Sequence, residues 1–355
     1  MRSNLYRAGA AAMLVGALPF GAAVAAQAPS HATRPHLYHV TIGVDSPYGL
    51  MTVNEFLPGR LTVHVGDSVQ WTNANGAEPQ TVTFGPIDYT PALFLSLDNL
   101  EANPVIVKPQ GSRVLRDAST IHSSGALMSG VKGLGLSYTL TFRSAGTYFY
   151  RSLFHPLMLG EIDVVPSSQP ASADPPDRGD SAVTALRSTA DALLVEQQSD
   201  AGAADSGGVG VNVGFGNKDV SLNIFAPAGI QVHVGDTVTW QTKETSGDPH
   251  ALFFITAATA TNPGAAPLYT SLAADGGLTV NPSYAKPTLL SGTEVTTGTI
   301  SSGGQYSSGI LYNSSPAYPS ATPFLFTLKF LAPGRYYYID PFHGNGTQGQ
   351  VHVLP

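Results

Sequence analysis

In two stretches of the chain apolar residues fall at every second position, the spacing that buries one face of a β-strand. Leu61, Val63 and Val65 alternate with Thr62 and His64; Gly66-Asp67 follows as turn chemistry, and Val69 and Trp71 then alternate with Gln70. The same strand, turn, strand unit returns as Ile230-Gln231-Val232-His233-Val234, Gly235-Asp236 and Thr237-Val238-Thr239-Trp240. Each copy also closes alike, with Gly146-Thr147-Tyr148-Phe149-Tyr150 leading to His155 and Gly334-Arg335-Tyr336-Tyr337-Tyr338 leading to His343. Repeat and ending together predict an all-β chain of tandem Greek-key sandwiches over residues 37–165 and 209–355. Trp71 and Trp240 are expected at equivalent buried places, each within its own sheet system.

Pro166 to Asp180 is rich in Pro, Ser and Asp, and the segment 166–208 reads as a linker. Within it Val183, Leu186, Ala190 and Leu193 form one stripe, which predicts a helix over 181–197 behind a cap at Asp180 or Ser181. Arg2 and Arg7 precede an apolar run from Ala8 to Ala26 that contains Ala23-Val24-Ala25, the pattern of a secretory signal peptide over residues 1–26. That leader implies a secreted or periplasmic protein with no membrane span after cleavage. His31, His36 and His39 follow the leader and are expected in a disordered tail. Gly207-Gly208-Val209-Gly210 lies inside an alternating strand with no helix behind it, which argues against a phosphate loop.

Composition narrows the functions. Only 12% of residues are charged and the net charge is −7, so nucleic acid is not an expected partner. Cysteine is absent, so the sandwiches must be held by their cores alone, and no thiolate is available to a metal.

The order of features resembles the cupredoxins: Pro-Gly, a hydrophobic strand, Gly-Asp, a strand ending in Trp, then Gly-x-Tyr-x-Tyr before a His loop. The resemblance covers both predicted domains and implies a copper site of His, Cys, His and an axial Met. In the first domain the loop from Tyr150 to Gly160 carries His155 and Met158 in register, but Ser152 stands at the Cys position and Gln80 at that of the first His. Copper is not expected there. In the second, His250 and His343 are kept, Asp340 takes the Cys position, and Gln348 lies where the axial ligand is expected. Imidazole, carboxylate and amide oxygen suit Cu(II) or Zn(II) better than Cu(I).

The function this implies is copper binding, or binding of another divalent metal, through the second domain in a site that is not blue. Electron transfer is not expected without the thiolate. An alternative left open is a metal-free module that recognises a protein or glycan through the long insertions at 86–135 and 255–320. No enzyme is expected, since the His-x-His pairs of multicopper oxidases and a Gly-x-Ser-x-Gly elbow are missing. His64 and His233 match in the repeat and are expected to be exposed and structural; His122 and His352 have no counterpart.

Overall fold

The strand Leu37–Asp45 lies at the middle of the first half, antiparallel to Met51–Leu57 and parallel to Ser68–Thr72, which in turn pairs with Ser137–Phe142. Facing this sheet is a second, ordered Arg60–His64, Leu159–Val165, Gly146–Arg151, Thr83–Phe84 and His122–Ser123. The computed structural model describes residues 34–355 except 46–49, 74–77, 87, 90, 93, 97–100, 130, most of 173–207, 243–247, 262–269, 273–277, 299–305, 312–324 and 344–346. The second half repeats the plan. Val209–Gly216 pairs with Val220–Ala226 and with Thr237–Gln241, whose other neighbour is Leu325–Phe330. Opposite stand Gly229–His233, Gln348–Leu354, Gly334–Ile339, His250–Ile255 and Tyr306–Leu311. The fold is all-β.

Period-two patterning explains the layers. Arg60–His64 and Ser137–Phe142 bury alternate residues, and the buried sets of the facing sheets meet in one cluster per half. Trp71 and Trp240 have no exposed surface. Each is met edge-on by the tyrosine of the penultimate strand, Tyr150 at 5.3 Å and Tyr338 at 5.5 Å between ring centroids. The Gly-Asp turns are also built alike. Gly66 (φ 105°) and Gly235 (φ 96°) take a left-handed conformation, and Asp67 and Asp236 each accept the backbone N–H of the preceding His at 2.8 Å.

The repeat led to an expectation of separate sheet systems, and here the structure differs. Met51–Leu57 and Val220–Ala226 pair antiparallel, Thr52 opposite Ser221, and fuse one sheet of each half into a continuous ten-stranded sheet. The cores stay distinct while residues 35–355 make one compact unit. The physical reason lies in both edge strands. Each would otherwise leave a row of backbone groups unpaired, and each carries buried polar residues that complement the other. Asn54 donates to Ser221 Oγ (2.9 Å) and Asn223 donates to Thr52 Oγ1 (3.2 Å). The insertions meet as well: Phe94–Ser96 and Glu101–Ala102 join Leu278–Val280 and Thr270–Leu272 in a small sheet.

His36 and His39 do not lie in a disordered tail. His39 sits within the first strand, and the backbone N–H of His36 donates to Asp67 Oδ1 at 2.8 Å. His64 contacts the Gln169 carbonyl at 2.7 Å, His233 is exposed, and His122 is buried with Nδ1 on the Ser112 carbonyl. The leader over 1–26 and His31 lie outside the described residues. Most of 181–197 does too, although Thr184, Ser188, Asp191 and Ala192 are helical. Among the described residues, no helix is long and apolar enough to cross a membrane.

A carboxyl pair marks one end of the seam. Half-burial, followed by the hydrogen bond and charge of Asp219, raises Glu55 from its ordinary 4.5 to about 7. Folding thus takes up a proton there, and the resulting stability is fully present below pH 4.5 and lost as pH rises through 7. In Glu55→Gln the amide donates to Asp219 without needing a proton. Thermal unfolding of that variant is expected to decline less between pH 4.5 and 7 than in the wild type; an unchanged slope would refute the shared proton.

Candidate metal centre

The second half brings three of its four expected donors together. His250 opens the strand next to Gly334–Ile339, and Asp340 and His343 lie on the loop just after that strand. Ligand atoms of His250, Asp340 and His343 all lie within 4.8 Å of one another, and all three side chains are buried. Asp340 is oriented by the backbone: its Oδ1 accepts the N–H of Ala251 (3.2 Å) and of Phe342 (3.1 Å). Its Oδ2 accepts from His250 Nδ1 at 2.7 Å and lies 4.0 Å from His343 Nε2. Gln348 opens the last strand in register with Ile339 and is half-buried.

Gly214 closes one side of His250. It has φ 66° at the register shift of its strand, and a Cβ there would fall 2.0 Å from His250 Nε2. That side of the ring is walled by backbone, so Nδ1 is the nitrogen directed toward Asp340.

The four expected positions of the first half also converge, as a hydrogen-bonded cluster. Gln80 Oε1 accepts from His155 Nδ1 at 3.1 Å, and Ser152 Oγ accepts the N–H of Thr81 and of His155. Met158 is buried and its carbonyl accepts the N–H of Ser152. Ser152 and Asp340 therefore do one thing in common: each offers oxygen to the N–H that follows the first-ligand position.

Two residues outside the expected donor sets tie the centres together across the seam. Glu78 of the first half accepts from His343 Nδ1 at 2.9 Å, and Asp248 of the second lies 3.0 Å from His155 Nε2. Both acids stand two positions before the first-ligand position, in Glu78-Pro79-Gln80 and Asp248-Pro249-His250. That matched spacing was present in the sequence; what it lacked was any sign that the acids reach the opposite half. Asp248 also accepts from Ser221 and from Asn54 Nδ2.

The charges follow. Burial opposes protonation of His343, but Glu78 and then Asp340 and Asp248 outweigh it and raise His343 from 6.5 to about 10. Its Nε2–H donates to the Pro249 carbonyl at 2.9 Å. Burial would raise Asp248, yet the charge and hydrogen bond of His155 hold it well below the carboxylate range.

No protein-family model and no curated protein matches the chain. Solved structures do. An oxidized amicyanin variant is 22% identical over 36% of this chain and 82% of its own, with a TM-score of 0.21. A reduced amicyanin variant is 25% identical over 36% and 82%, TM-score 0.19. A purple cupredoxin from Nitrosopumilus maritimus is 18% identical over 36% and 99%, TM-score 0.22. At such TM-scores the chemistry rests on the centre's own residues. A blue-copper donor set does not fit, for want of a thiolate. Two imidazoles and a carboxylate do fit a divalent ion of intermediate hardness in donor chemistry; ligands about 2.0–2.2 Å from such an ion sit roughly 3–4 Å apart, and here the donor atoms lie 2.7 Å and 4.0 Å from Asp340 Oδ2 and within 4.8 Å of one another.

Proposed function

We propose that the protein binds a divalent transition metal ion, Cu(II) or Zn(II), through His250, Asp340 and His343, with Gln348 as the fourth donor the resemblance implies. The observation that carries this reading is the convergence of three buried donors within 4.8 Å. The ion supplies a positive charge among Asp340, Glu78 and Asp248, replacing the one His343 now holds as a proton. The ion would be held by His250 Nδ1, by Asp340 Oδ2 while the backbone fixes its other oxygen, and by His343 Nε2. The proton His250 Nδ1 now donates to Asp340 would move to Nε2 or leave, and His343 would release the one it donates to Pro249. With no thiolate to couple the centre electronically, holding or carrying the ion is favoured over passing electrons. The apolar leader supports an exported setting.

Calorimetric titration of the full chain with Cu(II) and Zn(II) is expected to show one ion per molecule, lost in His250→Ala. The copper form is expected to lack the intense visible band that thiolate ligation gives. Undiminished binding in His250→Ala would overturn the assignment.

A second reading is a metal-free module. It is favoured by His343, whose ring nitrogens both already have partners within the protein, and by the insertions of the halves pairing in one small sheet, Thr279 opposite Glu101. A protein or glycan would then meet that surface, and absence of metal binding would make this the leading reading.

A further inference from the structure

The pocket's ligands come from the second half, yet the residue that grips one of them comes from the first. We infer that Glu78 is a positioning residue for the metal pocket, holding His343 through Nδ1 so that Nε2 is presented to the ion. The inference rests on the metal-binding reading above.

An imidazole that ligates through one nitrogen commonly donates its other N–H to a carboxylate, which fixes the ring and strengthens the ligand. His343 has this arrangement: Nδ1 donates to Glu78 Oε1 at 2.9 Å, while Nε2 lies 4.0 Å from Asp340 Oδ2. Glu78 is itself anchored, since Asn73 Nδ2 donates to the Glu78 carbonyl and to that of Leu127, both at 2.9 Å. Its side chain is only 10% exposed, so water competes little for the bond. The other cross-seam pair supplies the contrast. There Asp248 takes the Nε2 side of His155 and Gln80 takes Nδ1, and an amide and the Ser152 hydroxyl stand where the second half has the imidazole of His250 and the carboxylate of Asp340. His343 Nε2 has a partner too, the Pro249 carbonyl at 2.9 Å, yet it lies beside the Asp340 carboxylate and the ring of His250, 4.6 Å away between centroids. A pocket assembled this way exists only while the seam is closed.

Full-length wild type, Glu78→Gln and His250→Ala are titrated with Zn(II) and Cu(II), and Cu(II) electron paramagnetic resonance counts the coordinated nitrogens. Glu78→Gln is expected to keep one ion and the same nitrogen count with affinity reduced about 10–100-fold. A merely structural Glu78 would lower the melting temperature and leave the affinity of the folded protein as it was, which overturns the inference. The reading beneath it fails separately, if His250→Ala still binds. Should Glu78→Gln not fold, nitrogen-15 spectra of Zn(II)-loaded wild type decide: ligation at His343 Nε2 with Nδ1 still protonated is expected, and ligation at Nδ1 would overturn the proposal.

Discussion

Gly214→Ala is expected to destabilise the second half by about 2–5 kcal/mol and to abolish ion binding in the molecules that still fold. About 1–2 kcal/mol comes from placing an L-residue at positive φ, and a further 1–3 from overpacking. The added methyl would stand 2.0 Å from His250 Nε2 and 2.4 Å from Cε1, in a ring with no exposed surface whose Nδ1 is held by Asp340. The ring has nowhere to go without breaking that bond. Gly43 gives the control inside the same molecule. It sits at the matching register shift of the first half with φ 59°, but its Cβ would meet Val53 O at 3.1 Å and Gln80 Nε2 only at 3.8 Å. Gly43→Ala is expected to cost mainly the backbone part, about 1–2 kcal/mol, and to leave ion binding intact. Denaturant unfolding and ion titration of both variants check this; equal losses would mean that contact with His250 is not what singles out Gly214.

Much of the fold was legible because single strands and turns carry their own signals. Val69, Trp71, Val238 and Trp240 are buried as their alternation indicates, and the Gly-Asp turns use their aspartates as turn chemistry requires. The seam was harder to read, since a repeat specifies what each half is and says nothing of which edges meet. One trace of it does survive in the sequence. Thr52-Val53-Asn54 and Ser221-Leu222-Asn223 are buried in succession, which breaks the in-and-out rhythm of a half-solvated strand and marks surface covered from both sides. His250, Asp340 and His343 lie beside one another, and the loop spacing after a strand that brings the last two there is a local property. Glu78 and Asp248 escaped notice because their partners lie on the far half, His343 being 265 residues from Glu78. A buried acid beside a proline has no local meaning until the other half is in place.

The buried pair of Asp248 with His155 is where the seam is most exposed to damage. Asp248→Asn is expected to lower stability at neutral pH by about 3–5 kcal/mol, the usual cost of leaving one partner of a buried ion pair uncompensated. Both side chains are nearly inaccessible to water, so solvent cannot substitute for the missing charge. His155 Nε2 then loses its charged partner at the seam. The acid side of the stability profile should change as well. Burial would raise Asp248, but His155, then His343 and Ser221, hold it well below its ordinary 3.8, so its contribution is present above pH 3.8 and is lost as pH falls below it. The wild type should therefore weaken progressively in acid, and Asp248→Asn should lack that part of the decline. Adding His155→Gln to Asp248→Asn removes the stranded cation and is expected to recover part of the loss, so that the two substitutions together cost less than their sum. Unfolding free energies of the four proteins measure this coupling. A loss of no more than about 1 kcal/mol for Asp248→Asn, as for a solvent-exposed pair, would show that the halves are held together without this exchange.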